Sequence, residues 1–240
     1  LLRRDPALLA EQLVAATPGA CAEGEAKLLQ HVRYLGHLRD RASLAADHRR
    51  EVTRALARCV AAPSTAVRQR VVAHLLSDEP LLLAEHLAKE LMKLPGGPAG
   101  GGAYLVDAYL ATLERLEAPR AADGPARPEA PAYPANVRAR FDGGHPYAPL
   151  AAAIARAPVA SKGKVVAFLR PRDAGRLVQM LSAHVGGAAA VDPQTVAMLT
   201  DTLQAERGGL ADATVAAALA ALRRRMRAGR EESALLAARA

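Results

Sequence analysis

The sequence predicts an all-α protein, and three observations carry that prediction. Alanine fills 57 of the 240 positions, and alanine enters a helix without losing side-chain freedom. Residues that favour sheets are scarce: aromatics make up 3% of the chain, Trp is absent and Ile154 is the only isoleucine. Helix openings are legible at Asp5-Pro6, at Asp78 with Pro80, and at Asp192-Pro193, each followed by leucines and valines at helical spacing.

The elements follow in order. Asp5-Pro6 opens the first helix, with Leu8, Leu9, Leu13 and Val14 behind it. A second runs from about residue 23 to residue 39, with Leu28, Val32, Leu35 and Leu38 on one face. A third covers residues 43–60, and its apolar face is Val52, Ala55, Leu56 and Cys59. Ser64 can cap a fourth that turns Val67, Val71 and Leu75 inward. Asp78 and Pro80 open a fifth carrying Leu83, Leu87, Leu91 and Leu94. The glycine-rich run 96–102 breaks the pattern, and a sixth helix covers residues 104–117.

From 118 to 147 the composition changes. Pro119, Pro125, Pro128, Pro131, Pro134 and Pro146 fall there. Proline fixes φ and removes a donor, so an extended linker lying along a partner is expected. A short helix is expected at 149–156 and another at 161–169, where Val165–Leu169 could instead form a lone strand. Pro171 opens a helix with Leu177 and Leu181, and Asp192-Pro193 opens one with Val196, Leu199 and Leu203. Residues 210–227 carry Val215, Leu219, Leu222 and Met226, and a last helix covers 231–239. The organisation expected is a helical region at 1–117, the linker at 118–147 and a second helical region at 148–240.

Helix starts near 22, 43 and 64, and again near 171, 192 and 211, recur about every 20 residues. With the Asp-Pro openings, this spacing resembles the tetratricopeptide, pentatricopeptide and HEAT helical-repeat classes. The resemblance implies helical hairpins stacked as a short irregular solenoid or bundle. The Trp-Leu-Gly-Tyr signature of the first class is missing, and the resemblance assigns no binding residue.

Formal charge is +8, and only five of the 32 basic residues are lysine. Arginine forks suit phosphate and carboxylate recognition. Cys21 and Cys59 are too few for a disulfide framework and fall in apolar helical patterns, which reads as core. No run of 18 apolar residues is present, so no transmembrane segment is expected. The chain begins Leu1-Leu2-Arg3-Arg4 instead of Met, as expected if a transit peptide has been removed or the chain is given in part.

Catalytic motifs fail on their chemistry. Ser161-Lys162-Gly163-Lys164 has the Gly-Lys pair of a phosphate loop, but Pro158 and Val165 stand where a glycine and a hydroxyl are needed. A helix N-terminus with solvated lysines is the expectation. Glu85-His86 is followed by Glu90 where a zinc-protease helix needs histidine; a helix-surface pair is expected. His31 and His37 lie on different faces, and neither cysteine has a nearby ligand, so no metal and no cofactor is expected. No Gly-x-Ser-x-Gly elbow occurs. The candidate binding residues are therefore arginines. Arg50, Arg54 and Arg58 recur every four residues and form one ridge. Arg223, Arg224, Arg225 and Arg227 cluster at a predicted helix end, joined by Arg230, where cations also complement the helix dipole. Arg138 and Arg140 sit in the linker.

These readings point away from an enzyme. A non-catalytic subunit of a large, mitochondrial assembly is expected, either a ribosome or a respiratory or ATP synthase complex. Its partners would be other protein subunits, with no small-molecule substrate. An RNA-binding helical-repeat protein is the alternative, although aromatics interleaved with basic residues are missing.

Overall fold

The computed structural model describes residues 5–22, 24–40, 44–94, 101–121, 139, 141, 145–187, 191–206 and 208–237. Among them every regular element is a helix, and there is no strand. The helices are α1 Pro6–Ala22, α2 Glu25–Arg39, α3 Ala46–Arg58, α4 Thr65–Leu75, α5 Pro80–Met92, α6 Gly101–Ala121, α7 Leu150–Arg156, α8 Val159–Gly187, α9 Pro193–Glu206 and α10 Asp212–Ala237. A 3₁₀ turn, Cys59–Ala61, extends α3.

Local chemistry explains the starts. Asp5 Oδ1 accepts the backbone N–H of Ala7 at 3.1 Å and of Leu8 at 3.0 Å, while Pro6 brings no donor to satisfy. Ser64 Oγ accepts Val67 N–H at 3.3 Å and caps α4. Asp192 Oδ1 accepts Thr195 N–H at 2.7 Å and caps α9. At α5 the cap position falls on Glu79, which makes no side-chain cap bond, and Asp78 instead reaches Arg39 at 3.0 Å.

The periodic faces are buried. Val32, Leu35 and Leu38 of α2, and Val52, Ala55, Leu56 and Cys59 at α3, are all 0% exposed. Cys59 is a free core thiol whose Sγ donates to the Ala55 carbonyl at 3.4 Å; the Cys21 side chain lies outside the described residues. Each helix packs on its neighbour in sequence, and most also pack on the helix after that; substantial contacts reach no further along the chain. One apolar cluster runs from Ala10 of α1 to Ala218 of α10.

Two expectations about helix boundaries need correction, and one alternative falls away. The helix expected at 161–169 forms, and the lone strand weighed at Val165–Leu169 does not. Val165, Phe168 and Leu169 are buried at i, i+3, i+4, a spacing that suits the face α8 turns to α6, whereas a lone strand would leave its backbone unpaired. The two helices expected around Pro171 form one element bent at Asp173, where φ is −157° and ψ is 73°. There Asp173 Oδ1 accepts Arg176 N–H at 2.9 Å and caps the second limb. Residues 210–227 and 231–239 were expected as separate helices, but α10 runs unbroken to Ala237. A single glycine, Gly229, costs a helix only about 1 kcal/mol, too little to end one flanked by Arg, Ala and Glu.

Most of the expected linker, including residues 122–138 with Arg138, and also Arg140, lies outside the described residues. At its edges α6 continues through Pro119 to Ala121, and Tyr147 is fully buried. Tyr109 Oη donates to the Pro146 carbonyl, and Tyr147 Oη donates to Glu117 at 2.7 Å. Arg172 Nε also meets Glu117, at 2.8 Å, with its guanidinium 3.9 Å above the Phe168 ring. Arg156 Nη1 donates to the Met92 and Leu94 carbonyls at 2.9 and 3.1 Å, capping the end of α5. These bonds fasten α7 and α8 onto α5 and α6.

Candidate functional site

The arginine ridge lies on the outer face of α3, opposite the buried Val52, Ala55 and Leu56. Arg50, Arg54 and Arg58 are all exposed, but they are not equivalent. Arg50 is paired with Asp47 one turn back on its own helix. Arg54 Nη1 lies 2.8 Å from Glu51 Oε1. Arg58 has no ion pair among the described residues; its charge, with that of Lys89, faces His86 of α5. Burial first, then Lys89, holds the His86 imidazole below its usual range, against the opposing pull of Glu85 and with Arg58 adding to the depression. Glu90, offered by the sequence as the partner of His86, is bonded to Lys93 at 2.8 Å.

Arg50 also stands at the rim of a cleft of about 780 Å³ lined by Arg39, Asp40, Arg49, Thr53, Asp78 and Glu79. Its charges are largely matched internally. Arg39 is 9% exposed and is held by Asp40 at 2.8 Å and Asp78 at 3.0 Å, with Nη1 donating to the His74 carbonyl. The cleft is thus a solvated seam of ion pairs between α2, α3 and the start of α5. The Thr53 hydroxyl in it donates to the Arg49 carbonyl at 2.7 Å.

The second cluster sits differently from its expected place. Arg223, Arg224, Arg225 and Arg227 fall in the middle of α10, not at its end, because the helix runs on to Ala237. The helix-dipole account of this cluster is thereby removed, since the dipole acts within the last turn. Arg223 and Arg227 are exposed, and Arg225 is half-buried. Arg224 folds back over α8, its Nη2 2.8 Å from the point where a Cβ on Gly186 would stand. Arg230 has its side chain outside the described residues. Leu219 and Met226, expected on the apolar face, are 45% and 60% exposed. Ala218 and Ala221 carry the contact with α8 instead, at 0% and 1%.

Several ionisable groups in the interior are paired, while His74 Nε2 is buried without a hydrogen-bond partner among the described residues. Lys162 is a correction: it is 5% exposed, not solvated, and its Nζ lies 2.7 Å from Asp192 Oδ2 and 3.2 Å from Thr195 Oγ1. Partial burial pushes the Asp192 carboxyl up, but the Lys162 ammonium and the Thr195 hydroxyl and amide override it and hold the group at about 2. Lys164, the other lysine of the mismatched phosphate loop, is exposed and paired with Asp107 at 2.7 Å. Thr17 Oγ1 donates to the Leu13 carbonyl at 3.0 Å, so it accepts from His31 Nε2 at 3.0 Å. His31, His74 and His184 are all held below the usual imidazole range, first by burial. No group of three or more His, Cys, Asp or Glu side chains among the described residues could hold a metal ion. No described helix is long and apolar enough to cross a membrane.

The sequence had no means of signalling the Lys162–Asp192 pair, whose members stand 30 residues apart. It could have hinted at α10, where the chain from Ala213 to Arg230 holds no carboxylate. No protein-family model matches this chain, and no curated protein or solved structure is detectably similar to it.

Proposed function

We propose that this protein is a non-catalytic structural subunit of a large assembly, docking to its neighbours through the exposed arginine faces of α3 and α10. The observation that carries the reading is where the charges are spent. Lys162, Asp192, Arg39 and Asp78 bind one another, while Arg58, Arg223 and Arg227 point outward without an ion pair among the described residues. Its described residues thus offer cations to a partner and bring no acid, base and nucleophile together for a substrate. Helices stacked neighbour on neighbour supply the extended faces that helical-repeat scaffolds use.

The proposed setting is mitochondrial. A net charge of +8 favours a ribosome, whereas scarce lysine and the lack of base-stacking aromatics favour a respiratory or ATP synthase complex. Size-exclusion chromatography of native extract, with mass spectrometry of the fractions, tests the reading. The protein should elute far above its own 25.1 kDa with a reproducible set of subunits. Elution as a lone chain refutes it.

RNA binding is the second reading, favoured by Arg58, which has no ion pair among the described residues and whose charge, with that of Lys89, faces His86. In that case the salt dependence of RNA binding should weaken by about one unit for each ridge arginine changed to Gln.

A further inference from the structure

We infer that the outer flank of α10 is the docking site for an acidic amphipathic helix of a partner protein. The inference rests on the scaffold reading and names one of its contacts.

At about 100° per residue, Val215, Leu219, Leu222 and Met226 share one stripe of α10. The contact with α8 is centred further round, on Ala218 and Ala221, and it covers only one edge of that stripe. Val215 and Leu222 are half-buried, while Leu219 and Met226 stand 45% and 60% exposed beside them. They are two of the five large apolar side chains exposed among the described residues. Earlier helices of the stack have such stripes covered by the following helix or the one after.

Charge selects the occupant. Arg223 and Arg227 project from the outer shoulder of the same stripe, exposed and without an ion pair among the described residues. A partner must therefore present apolar side chains at helical spacing, with carboxylates beside them. Ala216 and Ala220 on the same shoulder leave room for a helix to approach closely, as Ala221 does against Gly186 of α8. A second copy of this chain fits poorly, because two such flanks would set arginine against arginine and each chain carries +8. Two large apolar residues are too few for the buried face of a membrane-surface helix. Nucleic acid would match the arginines but leave Leu219 and Met226 against phosphate.

The test uses the full chain and a fluorescein-labelled peptide of about three heptads, with Leu at a and d and Glu at e and g. A twin peptide carries Lys in place of Glu. Fluorescence anisotropy should show the unmodified chain binding the Glu peptide and not the Lys peptide. Arg223→Glu with Arg227→Glu should weaken the Glu peptide at least tenfold and bring in the Lys peptide. Leu219→Ser with Met226→Ser should weaken the Glu peptide similarly. All four side chains are solvent-facing, so circular dichroism should show unchanged helix content and Tm, which separates lost binding from lost fold.

Absence of Glu-peptide binding, or equal binding by the charge-reversed chain, overturns the inference. So does binding of phosphatidylglycerol vesicles or oligouridylate that depends on these residues while the peptide does not bind. Native assembly retained by the charge-reversed chain overturns this contact and leaves the scaffold reading standing. A chain found alone in native extract overturns the scaffold reading whatever the peptide does.

Discussion

Replacing Lys162 by Met removes the cation of the most enclosed ion pair described. The methionine stem fills much the same volume, so the change isolates charge from packing. Lys162 is 7% exposed and Asp192 28% exposed at the side chain, so the variant leaves a largely covered carboxylate with Thr195 alone. The magnitude follows from linkage. A shift of the Asp192 carboxyl from 3.8 to about 2 is worth about 2.5 kcal/mol at about 1.36 kcal/mol per unit. Thr195 keeps both of its bonds to Asp192 in the variant and part of Asp192 still meets water, so a loss of about 1–2 kcal/mol at pH 7 is expected. The folded carboxyl titrates below the unfolded one. The stabilisation is therefore complete above pH 3.8 and is lost as pH falls towards 2.

Urea unfolding of both chains, followed by circular dichroism at pH 7 and again near pH 3, measures the difference. The gap between wild type and Lys162→Met should narrow in acid. Adding Asp192→Asn to Lys162→Met should recover part of the loss, because the uncompensated charge is gone. A gap that is the same at both pH values, with no recovery in the double variant, would mean that Lys162 stabilises through its packed stem and that the electrostatic account is wrong.

Gly36→Ala should destabilise although alanine is the better helix former, because its Cβ would stand within 3.0 Å of three atoms of the His74 ring. A net loss of about 1–2 kcal/mol is expected after the propensity gain, and His74→Ala added to it should restore stability in the same urea assay. Tyr109→Phe strands the Pro146 carbonyl, the buried partner of its hydroxyl, and should cost about 1–3 kcal/mol; an unchanged midpoint refutes that bond. Burial keeps His31, His74, His86 and His184 below their unfolded value of 6.5, so their contribution is full above pH 6.5 and falls away below it. Tm should accordingly drop between pH 7 and pH 5, and a flat Tm there rejects this reading. Arg50→Gln, Arg54→Gln and Arg58→Gln together should shift stability by no more than about 0.5 kcal/mol, since all three are exposed; a larger loss means the pairs with Asp47 and Glu51 hold α3.

What was legible in the sequence is what a helix decides for itself. Asp5, Ser64 and Asp192 announce helix starts because a cap needs only a short acceptor two or three residues ahead of an orphan N–H. Leu28, Val32, Leu35 and Leu38 announce a buried face because period 3.6 is a property of one segment. What was not legible belongs to pairs of segments. Nothing near Lys162 marks it as buried, because Asp192 and Thr195 reach it from the start of another helix. Nothing near Arg39 announces Asp78, its partner across the seam between α2 and the start of α5.

Helix α10 shows the same limit from the other side. Periodicity places Val215, Leu219, Leu222 and Met226 on one stripe, and it is right about the stripe. It cannot say how wide the covering neighbour is. Here α8 approaches through the small residues Ala218, Ala221 and Gly186, so its contact is close, narrow and displaced towards the alanines. The bulky side chains beside that contact stay half-covered or open. An alanine-rich helix thus separates two properties that usually coincide, being apolar and being buried. On α10 Leu219 and Met226 stand at the margin of that contact, next to Arg223 and Arg227. Elsewhere leucines pack inward, as Leu35, Leu56, Leu87 and Leu181 do at 0% exposed, so α10 is where close approach through alanine leaves large apolar side chains open.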